Sequence, residues 1–162
     1  MYDSHLHTVF SDDAEYPFSE MINAAINKGL DGIAITDHLD PFFPDEDYPF
    51  YLEIEKYELA LLEAKEKYAP ALQIGKGIEI GLQQGEALEV CETTIDRFSY
   101  DFVIGSIHAA KGKCIHKSNF TSGRTQEAIN TDYYEDMIEC LQAYKNYDVL
   151  GHINVIDRYA GG

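Results

Sequence analysis

The sequence has little positive charge. Its 162 residues contain 12 Lys and Arg against 29 Asp and Glu, which gives a formal net charge of -17. Because such a chain repels nucleic-acid phosphates and anionic membrane surfaces, we expect neither nucleic acid nor membrane among its partners. A phosphate-bearing partner would need local positive charge from bound metal ions or from a few Lys and Arg side chains.

Cysteine and long apolar runs are also scarce. The three cysteines, Cys91, Cys114 and Cys140, are odd in number, far apart and without a CxxC pair. This spacing predicts no disulfide framework and fits unpaired thiols in a reducing compartment. The start, MYDSHLH, lacks the basic and apolar regions of a secretory signal, and no stretch is apolar for long enough to span a bilayer. We therefore expect a cytoplasmic protein.

Short β-rich runs alternate with helical segments along the chain. The predicted strands are residues 2–7, 32–38, 71–81, 101–108 and 148–155, and the predicted helices are residues 17–29, 51–69, 85–98 and 131–147. This alternation indicates one α/β domain with a parallel sheet and right-handed crossovers. Residues 109–130, rich in Lys, Ser, Gly and Thr, are predicted to form a long loop that is functional or mobile.

Five of the six histidines fall at or near the ends of the predicted strands. His5 and His7 are two residues apart, so in a strand they project from the same face. His38, His108 and His152 belong to the later strands. Because the carboxyl ends of parallel strands lie on one face of the sheet, we expect these imidazoles to converge. A lone histidine at such a place is more often a hydrogen-bonded structural residue, but the joint pattern favours a metal site.

Carboxylates accompany these histidines. Glu79 lies between two isoleucines in a predicted core strand, where a carboxylate needs a partner or a cation. Asp12 and Asp13 follow His7 closely, although either could be a turn residue that caps a helix. Asp37 could likewise cap the chain after its strand. His116 falls in the predicted loop, where we interpret it as solvated and functionally silent.

The mixture of imidazoles and carboxylates, with no thiolate, indicates the metal chemistry. Such donors suit Zn, Mn or Fe(II), whereas Ca or Mg would prefer a cage of oxygen atoms. Five imidazoles and at least two carboxylates exceed one tetrahedral shell, so we expect two or more ions, which Glu79 could bridge. Clustered ions activate water and hold phosphoryl oxygens, so the predicted reaction is phosphoester hydrolysis.

Five motifs resemble, in order, those of the PHP (polymerase and histidinol phosphatase) superfamily, above all its histidinol-phosphatase branch: DSHLHTVFSDDA, AITDHLD, GIEIG, GSIHAA and GHINVIDRY. The resemblance covers essentially the whole chain, and the motifs are specific only in combination. It implies a distorted (β/α)7 barrel, here about its first five β/α units in a single domain over residues 1–162. It also implies a trinuclear metal site and hydrolysis of L-histidinol phosphate, a small phosphorylated metabolite, in histidine biosynthesis.

The resemblance also implies roles for individual residues. Seven positions match family metal ligands for two to three divalent Zn, Mn or Fe ions: His5, His7, Asp13, His38, Glu79, His108 and His152. Asp13 is preferred to Asp12 because the family ligand stands six residues after the second histidine of the first motif. Glu79, His108 and Arg158 are expected to be catalytic. Arg158 matches an arginine that contacts the substrate phosphate, although it could be a solvated surface residue.

One family motif has no counterpart. The last motif, Asp-x-His, is missing, and no histidine follows His152, so we expect a fragment or a natural truncation. Five strands cannot close a normal small barrel, so the open sheet edges are expected to permit self-association. Two other functions fit the pattern: a different PHP-type phosphoesterase acting on phosphotyrosine or nucleotides, or a catalytically impaired metal-binding or regulatory module.

Overall fold

The computed structural model of the chain describes residues 1–160. Its strands are β1 (Tyr2–Leu6), β2 (Gly32–Ile35), β3 (His38–Leu39), β4 (Gln73–Gly81), β5 (Phe102–Ser106), β6 (Ala109–Ala110), β7 (Lys113–Cys114) and β8 (Val149–Leu150). Its helices are α1 (Phe18–Asn27), α2 (Ile54–Tyr68), α3 (Glu86–Phe98), α4 (Ser118–Thr121), α5 (Gln126–Ala143) and α6 (Asp157–Ala160). Within residues 1–160, no helix has the length and apolar character needed to cross a bilayer.

The main sheet is parallel throughout, which confirms the predicted α/β fold class. Its strand order is β1-β2-β4-β5-β8, and the short strand β3 also pairs with β4. The sheet curls into a half-barrel. Strands β6 and β7 form a separate antiparallel hairpin. Since all main strands run the same way, their carboxyl ends open on one side of the sheet.

Strand β4 is the centre of the sheet and of the core. Its first half pairs with β2, and its second half lies between β3 and β5. Ile78 and Ile80 are fully buried and belong to one continuous hydrophobic cluster that includes residues from α1, α2, α3 and α5. Glu79 lies between these isoleucines, opposite His38 on one side and Ile104 on the other. The pairing register therefore fixes the position of Glu79 along the strand relative to His38 and Ile104.

The predicted strand over residues 32–38 is wrong in one respect, because it is divided into β2 and β3. At the division, the buried Tyr57 hydroxyl lies 2.8 Å from the Gly77 carbonyl oxygen and 3.1 Å from the Ile35 carbonyl oxygen, and it accepts a hydrogen bond from the Asp37 amide at 3.3 Å. A side chain from α2 thus satisfies backbone groups that a continuous strand would satisfy. This contact is long-range, so the local pattern does not reveal it.

The predicted long loop over residues 109–130 is also wrong. It contains the β6–β7 hairpin and α4, and α5 begins at Gln126 rather than at residue 131. Lys111 and Gly112 connect the two hairpin strands, and both have positive φ, at 50° and 69°, as a type I′ turn requires. Thr125 caps α5, since its side chain accepts a hydrogen bond from the Ala128 amide at 3.2 Å.

The predicted strand over residues 148–155 is shorter than expected. Only Val149–Leu150 pair with β5, and the Gly151 amide adds one further hydrogen bond to the Gly105 carbonyl. The chain then turns, because the Val155 amide donates to the His152 carbonyl at 2.8 Å. His152 therefore lies just beyond the strand end instead of within the strand.

The role of Tyr57 can be tested by removing its hydroxyl. We expect Tyr57→Phe to lower the free energy of unfolding by about 1–3 kcal/mol, because buried backbone groups of Gly77 and Asp37 lose their partner. Tyr68→Phe, at the half-buried end of the same helix, is the matched control and should change stability little. Urea unfolding measures both variants. Equal stability of Tyr57→Phe and wild type would contradict the role assigned to this hydroxyl.

Candidate metal centre

A cavity of about 870 Å³ opens at the carboxyl ends of the main strands. The predicted site residues that line it are His5, His7, Asp13, His38, His108, His152 and Arg158. The remaining predicted residue, Glu79, is fully buried beneath them. The structure thus brings the predicted ligands together from five separate segments of the chain.

The Glu79 carboxylate is surrounded by five imidazoles. One carboxylate oxygen lies 2.9 Å from His7 Nε2, and the other lies 3.0 Å from His152 Nε2. The nearest nitrogens of the other three rings are 3.4 to 3.8 Å away, in His108, His38 and His5. Ser106 Oγ also donates a hydrogen bond to the carboxylate at 2.6 Å. The carboxylate is therefore shared by donors from both sides of the cavity.

Strand geometry explains how the first histidines reach this position. His5 lies in β1, and His7 follows the end of that strand, so both rings project to the cavity side. Their ring centroids are 4.9 Å apart with an interplanar angle of 76°, so the rings meet edge to face rather than in parallel. His38 begins β3, directly opposite Glu79.

Asp13, rather than Asp12, belongs to the cluster. The Asp13 carboxylate lies 3.1 Å from His7 Nδ1 and 3.5 Å from His38 Nε2. Asp12 instead accepts a hydrogen bond from the Phe50 amide at 2.7 Å, which is a structural role. The role of Asp13 as a metal ligand stays a prediction, which its position beside His7 and His38 supports.

Three overlapping groups of side chains could each hold a metal ion. Within each group the candidate ligand atoms lie within 4.8 Å of one another, and the groups are His5–Glu79–His152, His7–Asp13–His38 and His38–Glu79–His108. Glu79 and His38 each belong to two groups, so neighbouring ions would share ligands. Nitrogen and carboxylate donors in this number fit divalent transition metals.

The protonation of these groups reflects their mutual contacts. Burial raises the pKa of the Glu79 carboxyl, but hydrogen bonds with His108, His152 and His7 outweigh it and hold the pKa well below its usual range. Burial lowers the pKa of His7, yet hydrogen bonds with Asp13 and Glu79 raise it to about 10. These directions keep the Glu79 carboxyl ionised and His7 protonated, and a cation bound at His7 would displace that proton.

Asp40 supports the cluster, and the sequence reading missed it. Its buried carboxylate lies 3.1 Å from His38 Nδ1 and 2.8 Å from His108 Nδ1. These contacts orient both rings and leave each Nε2 toward Glu79. Its spacing could have indicated this role, because Asp40 follows His38 by two residues and would lie on the same face of a strand.

Asp37 organises the loop that joins His7 to Asp13. Its carboxylate accepts hydrogen bonds from the amide and hydroxyl of Thr8 at 2.6 and 2.7 Å, and from the Ser11 hydroxyl at 2.8 Å. It therefore fixes the loop after β1 instead of capping the chain after its own strand, which corrects the earlier interpretation.

His116 is an exposed residue, as predicted, but its imidazole contacts two other side chains. His116 Nδ1 lies 3.0 Å from Cys114 Sγ, and Nε2 lies 3.1 Å from Asp45 Oδ2. The His116 side chain is 31% exposed and lines the same cavity as the metal centre. The β6–β7 hairpin, which the sequence pattern did not reveal, places it there.

Two glycines leave room for the supporting side chains. A Cβ atom on Gly81 would overlap the carboxylate of Asp40, and one on Gly151 would overlap the Ser106 hydroxyl. A side chain at either position would displace a group that holds a histidine or Glu79. Because this region is closely packed, only glycine at these two positions leaves the supporting side chains of the cluster in place.

Replacement of Gly81 tests this connection. We expect Gly81→Ala to weaken zinc binding about ten- to a hundredfold, as loss of a ligand's supporting contact does, and to cost about 1–3 kcal/mol of stability through overpacking. Gly75→Ala on the same strand is the control, because its new Cβ would lie 3.4 Å from its nearest neighbour, the Ala34 Cβ. Competition with a chromogenic chelator measures zinc affinity. Equal affinities for the two variants would refute the connection.

Comparison with known proteins places these observations in a family. The chain is 32% identical over 160 residues to a probable histidinol-phosphatase from Clostridium acetobutylicum, covering 99% of this chain and 60% of that protein. It is 28% identical over 158 residues to the histidinol-phosphatase of Lactococcus lactis subsp. lactis, covering 97% and 58%. The chain thus spans about 60% of the length of these curated relatives.

A solved structure agrees with the sequence comparison. The crystal structure of histidinol phosphate phosphatase from Lactococcus lactis, complexed with Zn, L-histidinol and phosphate, superposes with a TM-score of 0.90 at 27% identity. The match covers 98% of this chain and 59% of that chain. The profile of the PHP domain matches residues 3–161. The chain therefore belongs to the PHP domain family.

Proposed function

We propose that this chain carries the metal-binding part of a histidinol-phosphatase. The reaction is hydrolysis of a phosphomonoester, L-histidinol phosphate, to L-histidinol and phosphate in histidine biosynthesis. The observation that carries the proposal is the buried Glu79 carboxylate among five imidazoles, on a fold similar to a phosphatase that binds Zn, L-histidinol and phosphate. The cavity volume of about 870 Å³ is sufficient for a small phosphorylated metabolite.

The proposed cofactors are two to three divalent ions, with Zn, Mn or Fe as candidates. The proposed ligands are His5, His7, Asp13, His38, Glu79, His108 and His152, in the three groups described above. Zn is favoured because the similar Lactococcus lactis structure is complexed with it. When bound, such ions lower the pKa of a coordinated water and neutralise phosphate charge.

Side chains of the chain itself would bind and orient the substrate. Arg158 lies on the cavity wall, where its guanidinium can hold two phosphate oxygens in a fork. His108 is held by Asp40 through Nδ1, so Nε2 remains directed toward Glu79. We assign catalytic roles to Glu79, His108 and Arg158. On a chain with a net charge of -17, the positive charge of Arg158 is locally important for phosphate capture.

We assign residues 1–162 to one domain. One continuous hydrophobic cluster joins the sheet to its helices, which supports this assignment. Among the described residues, β1 and β8 pair on one side only, so either edge offers backbone groups for self-association. The three cysteines are buried and unpaired, which fits a cytoplasmic location.

Replacement of Arg158 tests the substrate and its capture together. We expect phosphate release to be fastest from L-histidinol phosphate when compared with phosphotyrosine and a nucleoside monophosphate. Arg158→Ala should lower kcat/KM about ten- to a hundredfold without loss of metal, because charge-assisted hydrogen bonds contribute about 1.5–3 kcal/mol. Arg97→Ala, which removes an exposed arginine paired with Glu55, is the control. A flat substrate profile, or equal kcat/KM in both variants, would overturn the assignment.

Replacement of Glu79 tests the metal centre. Glu79→Gln keeps the shape of the side chain but removes the negative charge that neighbouring cations would share. We expect the purified variant to retain less metal and to lose activity, with a circular dichroism spectrum close to that of wild type. Elemental analysis after dialysis measures the metal. Unchanged metal content and turnover would assign Glu79 a purely structural role.

A further inference from the structure

A second cluster of ligand-type side chains lies beside the metal centre. It consists of Asp45, Cys114 and His116, whose candidate ligand atoms lie within 4.8 Å of one another. The imidazole stands in the middle, 3.0 Å from the Cys114 sulfur through Nδ1 and 3.1 Å from an Asp45 oxygen through Nε2. None of the three residues belongs to the groups that contain Glu79.

Two members of this cluster, Asp45 and Cys114, are buried, whereas His116 is exposed. Cys114 is fully buried, and the side chain of Asp45 is only 2% exposed. A carboxylate removed from water needs a compensating positive charge. Lys117 supplies one, because its Nζ lies 3.1 Å from an Asp45 oxygen and 3.1 Å from an Asp47 oxygen. The structure therefore places the Lys117 ammonium group at Asp45.

We propose that Asp45, Cys114 and His116 form a separate binding site for Zn²⁺. A thiolate, an imidazole and a carboxylate are the donors that zinc combines, and a fourth position would remain for water. Zinc binding converts the Cys114 thiol to a zinc-bound thiolate and releases its proton to solvent. The oxidation states of zinc and sulfur do not change in this step.

Lys117 would compete with the zinc ion for the Asp45 carboxylate. When zinc occupies the site, the ammonium group leaves Asp45 and keeps Asp47, whose side chain is 78% exposed. The Lys117 side chain is flexible and its ammonium group is readily hydrated, so this movement costs little free energy. Removal of the Lys117 charge should therefore strengthen zinc binding.

The site would join two segments that border the cavity. Asp45 belongs to the segment between β3 and α2, whereas Cys114 and His116 belong to β7 and the turn after it. His116 and its neighbour Ile115 line the cavity of the metal centre, as do Phe43 and Tyr48 from the first segment. A bound ion would hold these two walls together and thereby restrict the shape of the substrate cavity.

Cobalt substitution distinguishes this site from the metal centre that contains Glu79. Co²⁺ bound to a thiolate shows a charge-transfer absorption band in the near ultraviolet, and the Glu79 groups contain no cysteine. We expect the band when Co²⁺ is added to metal-free, reduced protein, and its displacement by Zn²⁺. Cys114→Ser should abolish the band. Cys140→Ser, which changes another buried cysteine, should retain it.

Further variants keep the test decisive if Cys114→Ser does not fold. Asp45→Asn and His116→Gln retain the thiol and should weaken Co²⁺ binding at least about tenfold, whereas Lys117→Met should strengthen it about two- to fivefold, the effect of one ion pair. Absence of the band in wild type, its persistence in Cys114→Ser, or unchanged affinity in both Asp45→Asn and His116→Gln would overturn the proposal. Phosphatase activity is not part of this readout, so its loss would bear only on the proposed function.

Discussion

The ionised Glu79 carboxylate, buried on the innermost strand, is the constraint on which the arrangement of the site depends. Its removal from water is unfavourable unless positive charge or hydrogen-bond donors surround it. Five imidazoles and the Ser106 hydroxyl meet this requirement, and they come from segments that only a parallel sheet brings to one side. The same crowding of donors that stabilises the carboxylate also forms a site for divalent cations.

A layer of supporting contacts gives this cluster its definite geometry. Asp40 orients two histidines, Ser106 donates to Glu79, and Asp37 fixes the loop after β1. Asp40 and Ser106 can occupy these positions only because residues 81 and 151 are glycines. A Cβ atom on Gly81 would overlap Asp40, and one on Gly151 would overlap Ser106. Fold and site are thus connected at the level of single atoms, since the backbone positions that pair the strands also admit the supporting side chains.

The strand-end histidines and Glu79 were predictable because their signals are local. A two-residue spacing sets the face of a strand, and a charged residue between isoleucines marks a buried charge. Asp40 has the same spacing from His38, but an aspartate after a strand is also an ordinary turn residue. The cluster of Asp45 with His116 joins residues 71 positions apart and has no local signal at all.

Local patterns suffice to predict the alternation of strands and helices, the parallel sheet and the side on which the histidines meet, because these follow from short-range periodicity and from the direction of each strand. The ends of the strands and the pairing of side chains depend instead on contacts in the folded chain. The Tyr57 hydroxyl divides β2 from β3, and the β6–β7 hairpin carries His116 to the cavity wall. Both results depend on contacts between distant segments, whose energies no local pattern contains.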